Sequence, residues 1–270
     1  MRIKIFFIIS CLFFIPLITH AQTTNLPVPF VSETPDGVWV APWNNACEEA
    51  TIVMIEQYYL GQKTITKNAS KNLMRPLFSA EDKLFDSNAD TNSSRIQTIV
   101  NDFTTFHTIS KTNPKLDDIK TELDAGHPVI SLHYGFDLKN PLIPFLRTGS
   151  SYHVMVITGY DDDVQEFIVN DPAVTKGLDF RYNYDIFLNS LHDFNHTTGK
   201  ADGPARVLFT RFNKIIQKEG NKRTFLVRNN IKYQISSPDL MQKYGWKWRA
   251  LRILPTVDFD ALLTGPTIVK

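Results

Sequence analysis

Between Ala46 and Gly61 the chain carries a run that constrains the fold more than any other, because only a buried helix suits it. Its centre, Ile52-Val53-Met54-Ile55, is apolar nearly all the way round a helical wheel, so no face is left for water. Gly61 supplies a stop, and Asn44 or Asn45 could cap the start. The pattern predicts a helix from Cys47 to about Leu60 with only its first turn open to solvent.

Cys47 therefore sits where the turn-forming segment Pro42-Trp43-Asn44-Asn45 runs into a helix. The other cysteine, Cys11, lies in an N-terminal stretch that reads as a secretory signal over residues 1–21. Arg2 and Lys4 come first, an apolar run spans Ile5 to Ile18, and Thr19-His20-Ala21 ends it with a small-x-small cleavage pattern. The run is short for a membrane span of about 20 residues, and Pro16 interrupts it, so cleavage after Ala21 is expected rather than anchoring. A secreted, periplasmic or cell-surface protein is the expectation. The exported chain then holds one unpaired cysteine in an oxidising compartment: a reactive thiol, an intermolecular bridge or a buried bystander.

Composition fits an ordinary globular protein, with 43% hydrophobic and 12% aromatic residues. Lys and Arg total 29 against 28 Asp and Glu, and signal cleavage removes Arg2 and Lys4 from the basic side. A near-neutral chain has no basic excess to attract nucleic acid or an anionic membrane, so neither is expected as a partner.

Two parts are legible. Residues 27–213 mix helical and strand patterns, with irregular stretches such as Phe85 to Ser94. After a polar bridge from Lys214 to Lys222, residues 223–270 form a small α/β module. There Thr224 to Arg228 and Ile231 to Ile235 alternate as strands around Asn229-Asn230, and Ser237-Pro238-Asp239 opens a helix that Gly245 stops.

Within the larger part, Pro114 to Ala125 reads as a helix and Pro128 to Tyr134 as a core strand, with His127 and His133 structural or superficial. The stretch from Tyr152 to Pro172 reads as a hairpin turning at Asp161-Asp162-Asp163. A turn centred near Asp162 makes His153 and Asp171 direct cross-strand neighbours, close enough for the carboxylate to fix the imidazole tautomer. A shifted register would offer Asn170 instead. Cysteine at a helix start, histidine at the head of a later strand and Asp or Asn on the next is the chain order of a thiol-hydrolase triad. The dipole at a helix N-terminus favours thiolate, but Glu48 and Glu49 oppose it, so Cys47 needs a cationic partner. His153 as imidazolium is the expected one, with alkylation below the free-thiol range as its sign. A Cys/His/Asp metal site has little support, because no second ligand cluster is visible.

The stretches ACEEATIVMIEQYYLG, LDAGHPVI, SYHVMVITGYDDDVQEFIVNDPAV and NYDIFLNSLHDFN resemble the exported C39-like peptidase family, papain-like cysteine peptidases of the bacteriocin-processing type. The similarity runs from about Val28 to Asn195. It implies an α+β papain-like fold, with a buried helix carrying the thiol against an antiparallel sheet. It implies Cys47 as nucleophile, His153 as general base and acid, and Asp171 as the residue orienting His153. The reaction implied is hydrolysis of peptide or amide bonds through a thioacyl intermediate, with no metal and no cofactor. The substrate implied is a peptide or protein.

One departure stands out. Relatives often read Ser-Gln-Ala-Pro where this chain reads Ser32-Glu33-Thr34-Pro35, and the glutamine is thought to help bind the oxyanion. Glu33 is therefore the oxyanion candidate, and an ionised carboxylate there would repel the charge that an amide N–H stabilises. It could be protonated, point to solvent while Asn44, Asn45 or the Cys47 N–H supplies the donor, or mark a silent binding domain for peptides or envelope components. The tail FLVRNNIKYQISSPDLMQKYGW resembles small modules appended to secreted bacterial proteins, which implies attachment to cell-envelope material. Its Tyr244, Trp246 and Trp248 could form a sugar platform or a core.

Overall fold

The computed structural model describes residues 22–86, 90–143, 152–212, 214–228, 231–243, 246, 248 and 251–269. The expected signal segment and the Asn229-Asn230 turn lie outside them. The first sheet holds seven strands with every pairing antiparallel. In chain order the elements are β1 (Thr23–Asn25), α1 (Cys47–Tyr59), α2 (Lys67–Phe85), α3 (Ser93–Phe103), β2 (Phe106–Thr112), α4 (Leu116–Asp124), β3 (Val129–Tyr134), β4 (Tyr152–Asp161), β5 (Glu166–Asn170), β6 (Phe180–Asn183), α5 (Tyr184–Asn189) and β7 (Arg206–Phe212). The strands run β2-β7-β3-β4-β5-β6, and β1 pairs with β4.

The centre of this layer is β4, buried along nearly its whole length because helices cover both faces. Tyr152, Val154 and Val156 pack in one core with α1, α2 and α3, whereas Met155 and Ile157 pack in another with α4 and α5. The period-two alternation of a strand thus feeds two cores at once. The α1 helix contributes Ala50 and Ile52 to Ile55 to the first core, as its all-round apolar pattern requires. The prediction of an open first turn is wrong: Cys47, Glu48 and Glu49 are as buried as the residues that follow. The predicted cap also differs. Ala46 occupies the N-cap without a side-chain bond, and Asn45 pairs through its amide with Asp90.

The hairpin register differs from the one predicted. A bulge between Ile157 and Gly159 and a longer turn place Val156 opposite Asn170 and Asp161 opposite Glu166. Asp171 therefore lies just past the end of β5, diagonal to His153 rather than opposite it.

A second, five-stranded sheet follows, built from β8 (Lys214–Lys218), β9 (Thr224–Arg228), β10 (Ile231–Gln234), β11 (Leu251–Leu254) and β12 (Leu263–Thr264), with α6 (Pro238–Lys243) and α7 (Thr256–Asp260). Lys214 to Lys218 is thus no polar bridge. Ile215 and Ile216 are fully buried on opposite sides of this sheet, one against Leu240, Met241 and Trp246, the other against Phe225 and Phe259. Lysines at both ends mask an apolar pair that needs only one strand's length to reach two cores. Trp246 is core, while Trp248 stands half-exposed beside a groove of about 680 Å³ lined by Gln217, Gln234 and Ser236. Among the described residues, no helix is long and apolar enough to cross a membrane.

Candidate active site

The thiol is delivered by the start of α1, whose Thr51 hydroxyl donates to the Val154 carbonyl of β4 and so ties the helix to the strand that carries His153. Donor atoms of Glu33, Cys47 and His153 lie within 4.8 Å of one another, and all three residues are buried. His153 is held from the far side: Nε2 lies 2.8 Å from Asp171 Oδ1. Asp171 in turn accepts the Ala173 N–H at 3.1 Å and the Tyr182 hydroxyl at 2.7 Å, and the Asn140 amide donates to that hydroxyl at 2.6 Å. The aspartate is an acceptor saturated by donors, a state that suits a buried carboxylate.

Asn170 has a different role. Its amide donates to the Val28 carbonyl and its oxygen accepts the Asp179 N–H, which pins the N-terminal segment to the end of β5. His133 is structural, as expected. The Ser190 hydroxyl donates to the Phe187 carbonyl, so His133 Nδ1 carries the proton donated to Ser190. Burial, with His153 directly across the β3–β4 pair, holds the His133 pKa well below the usual histidine value.

Gly177 sets the position of Asp171. A Cβ there would lie 1.8 Å from the Asp171 carbonyl oxygen, which accepts the Val174 N–H, while the Gly177 carbonyl accepts the Asp171 N–H. Gly177→Ala should cost about 1–3 kcal/mol of stability and slow turnover by displacing Asp171 from His153. Thermal midpoint and kcat/KM measured together check this, and a loss of stability with turnover untouched would contradict it.

The electrostatics around the thiol run against the predicted ion pair. Cys47 Sγ donates to Glu48 Oε2 at 2.9 Å, and Thr91 donates its N–H and hydroxyl to Glu48 Oε1. Burial first, then the charges of Glu48 and Glu33, push the thiol well above its ordinary pKa. Both effects favour the neutral thiol over thiolate beside the Glu48 carboxyl. Glu48 itself is pushed up to about 7, by burial and by Asp90. Glu33 does not face solvent: it is buried, its Oε1 makes no hydrogen bond, and burial with the charges of Asp171 and Glu48 raises its pKa well above the carboxylate range.

A second carboxyl contact lies one helical position along. Glu49 of α1 and Glu81 of α2 are both buried; burial and mutual repulsion raise Glu49 far above its usual value, and burial takes Glu81 up to about 8. The pair is stable when it shares a proton. Because the folded pKa values are raised, the native state holds protons that the unfolded chain releases near pH 4.5. Stability should fall as pH climbs from there through about 8, with no further loss from Glu81 above it. Thermal midpoints across this range should drop, and Glu81→Gln should flatten the decline. A midpoint rising from pH 5 to 8 would contradict the shared proton.

Tyr182 and Asn140 went unnoticed in the sequence, and Glu48 was read only as a charge opposing thiolate. A burial signal did exist for Glu48, since it lies one turn before Ile52 on the same face of a helix whose centre is apolar all round. Tyr182 and Asn140 come from distant segments, and only sheet order brings them to Asp171.

The family model for the Peptidase_C39 like family matches residues 22–201, a span containing every residue of this site. The chain belongs to the C39-like peptidase family. A crystal structure described as a C39-like peptidase from Bacillus anthracis aligns at 15% identity with a TM-score of 0.44, over 70% of this chain and 97% of that one. A search of curated proteins finds no match. The α+β C39-like fold is thus established by the family match together with the antiparallel sheet and its helices.

Proposed function

We propose that this C39-like protein is an exported cysteine peptidase or amidase of papain-like type, in which Cys47, His153 and Asp171 hydrolyse peptide bonds. The observation carrying this reading is the juxtaposition of the Cys47 thiol and the His153 ring within 4.8 Å, with Asp171 bonded to the ring's Nε2 at 2.8 Å. With Nε2–H donated to Asp171, Nδ1 is the base. It takes the Cys47 proton as sulfur attacks the carbonyl carbon, so no resting thiolate is required, and it returns that proton to the departing amine as the C–N bond breaks. Water, deprotonated by the same nitrogen, then cleaves the thioester and restores the thiol. The Cys47 backbone N–H and a protonated Glu33 carboxyl would donate to the oxyanion.

A second reading is favoured by the acidic surroundings of the thiol: a silent domain that binds peptides. Glu48→Gln separates the two. In the enzyme it should lower the pH at which iodoacetamide alkylates Cys47, because it removes the largest charge acting against thiolate, and His153→Ala should undo that gain. An alkylation profile indifferent to both changes would favour the silent domain.

Export rests on the signal pattern, and is supported by β1 starting at Thr23, two residues past the proposed cut after Ala21. We assign the second sheet to attachment on cell-envelope polymers through the groove beside Trp248, whose half-exposed ring could stack on a sugar. Trp248→Ala should reduce retention on envelope material without altering hydrolysis of free peptides. Unchanged retention would remove that role.

A further inference from the structure

The departure at position 33 places a third metal-ligand type beside the thiol and the imidazole. Sulfur, nitrogen and carboxylate oxygen converge from Cys47, His153 and Glu33, each buried, with the three donor atoms within 4.8 Å of one another. Glu33 Oε1 is buried there without a hydrogen bond. We propose that these three side chains bind a borderline-soft divalent cation of the zinc type, through Cys47 Sγ, His153 Nδ1 and a Glu33 carboxylate oxygen, with the fourth position left to water, and that the ion keeps the thiol from reacting until it is withdrawn.

Three features of the site converge on this. Zinc takes this set of donors at about 2.0–2.3 Å, with three protein ligands and an open position where water or substrate can enter. Donors around such an ion stand roughly 3–4 Å apart, so side-chain rotations that draw these atoms together by about an ångström complete the geometry. The outer shell is also built: Asp171 accepts from the opposite ring nitrogen of His153 and is itself fixed by Tyr182 and the Ala173 N–H, the carboxylate–histidine–metal arrangement that sets the ligand tautomer. Finally, the charges of Asp171 and Glu48 bear on Glu33, and those of Glu48, Glu33 and Asp90 bear on Cys47, all of them acidic. A dication suits such acidic surroundings.

Binding balances in protons. The thiol S–H and the Glu33 carboxyl O–H give way to metal–sulfur and metal–oxygen bonds, and both protons pass to solvent. Glutamine at position 33 would offer a neutral amide, a far poorer ligand. The substitution that weakens an oxyanion donor is thus the one that completes a cation site.

The binding claim stands independently of catalysis; only the silencing of the thiol rests on the peptidase reading. The test is a Co²⁺ titration of the reduced, signal-free protein, followed by competition with Zn²⁺. The expected result is one Co²⁺ per chain with a thiolate-to-cobalt charge-transfer band, erased by Zn²⁺ and absent from Cys47→Ser. Glu33→Gln, nearly the same shape, should weaken Co²⁺ by at least about tenfold, and Asp171→Asn by about 10- to 100-fold. His153→Gln supplies a second ligand variant if Glu33→Gln does not fold. No charge-transfer band in the wild type, or wild-type affinity in a folded ligand variant, would overturn the site. Because the band is read without substrate, a protein that binds cobalt but hydrolyses nothing upholds the site while removing the peptidase reading. Hydrolysis without any cobalt band does the reverse.

Discussion

Cys47→Ser and His153→Ala are each expected to lower peptide hydrolysis by about 10⁴- to 10⁶-fold with the fold unchanged. Serine keeps the size of the side chain and its donor to Glu48, but a hydroxyl in this acidic pocket is far harder to ionise than a thiol. Alanine at 153 leaves Cys47 to lose its proton unaided against burial and the charges of Glu48 and Glu33. Asp171→Ala should fall somewhat short of these losses, near 10⁴-fold, because the imidazole remains but its tautomer and orientation are no longer fixed. Asn170→Ala should act on stability instead, since its bonds hold Val28 and Asp179 and none reaches His153. Parallel kcat/KM and thermal-midpoint measurements check the ranking. Asn170→Ala costing more turnover than Asp171→Ala would show that the contact of His153 with Asp171 is not the one that matters.

Glu33→Gln is expected to leave hydrolysis nearly unchanged at low pH and to raise it progressively at high pH, by as much as about 10²- to 10³-fold. Below its folded pKa, Glu33 is a carboxylic acid that can donate its O–H to the oxyanion, so an amide offers little more. Burial and its acidic neighbours hold that pKa well above the carboxylate range, which moves the onset of the gain upward in pH. Once ionised, the wild-type side chain repels the developing charge while the amide still donates. The ratio of kcat/KM for variant and wild type against pH reads this directly, with a chelator present so that bound metal does not enter. A ratio flat across the whole range would mean that Glu33 does not meet the oxyanion.

The parts of the fold legible in sequence were those whose pattern is local. The apolar periodicity of α1, the helix read from Pro114 to Ala125 and the β9 and β10 strands all follow from neighbours in the chain. Register was harder to read. A bulge at Thr158 depends on how β5 fits across β4, and no single strand shows it. The contact between His153 and Asp171 nevertheless forms, because a residue just past a strand end can swing back to a diagonal neighbour. Electrostatics were the least legible. Glu33 read as the oxyanion candidate and Glu48 and Glu49 as charges opposing thiolate, yet all three are buried, as is Glu81, which the sequence did not single out. Lys214 to Lys218 failed for a related reason: charged ends outweighed two isoleucines whose burial only the second sheet reveals.

The most direct test of Cys47 as nucleophile is the mass of the protein quenched in acid during turnover of a peptide-ester library. An acyl adduct is expected on the tryptic peptide containing Cys47, formed quickly in the wild type, slowly in His153→Ala and not at all in Cys47→Ser. Hydrolysis of the library by Cys47→Ser at the wild-type rate, or a wild-type protein that neither forms the adduct nor consumes any ester once metal is chelated, would contradict it.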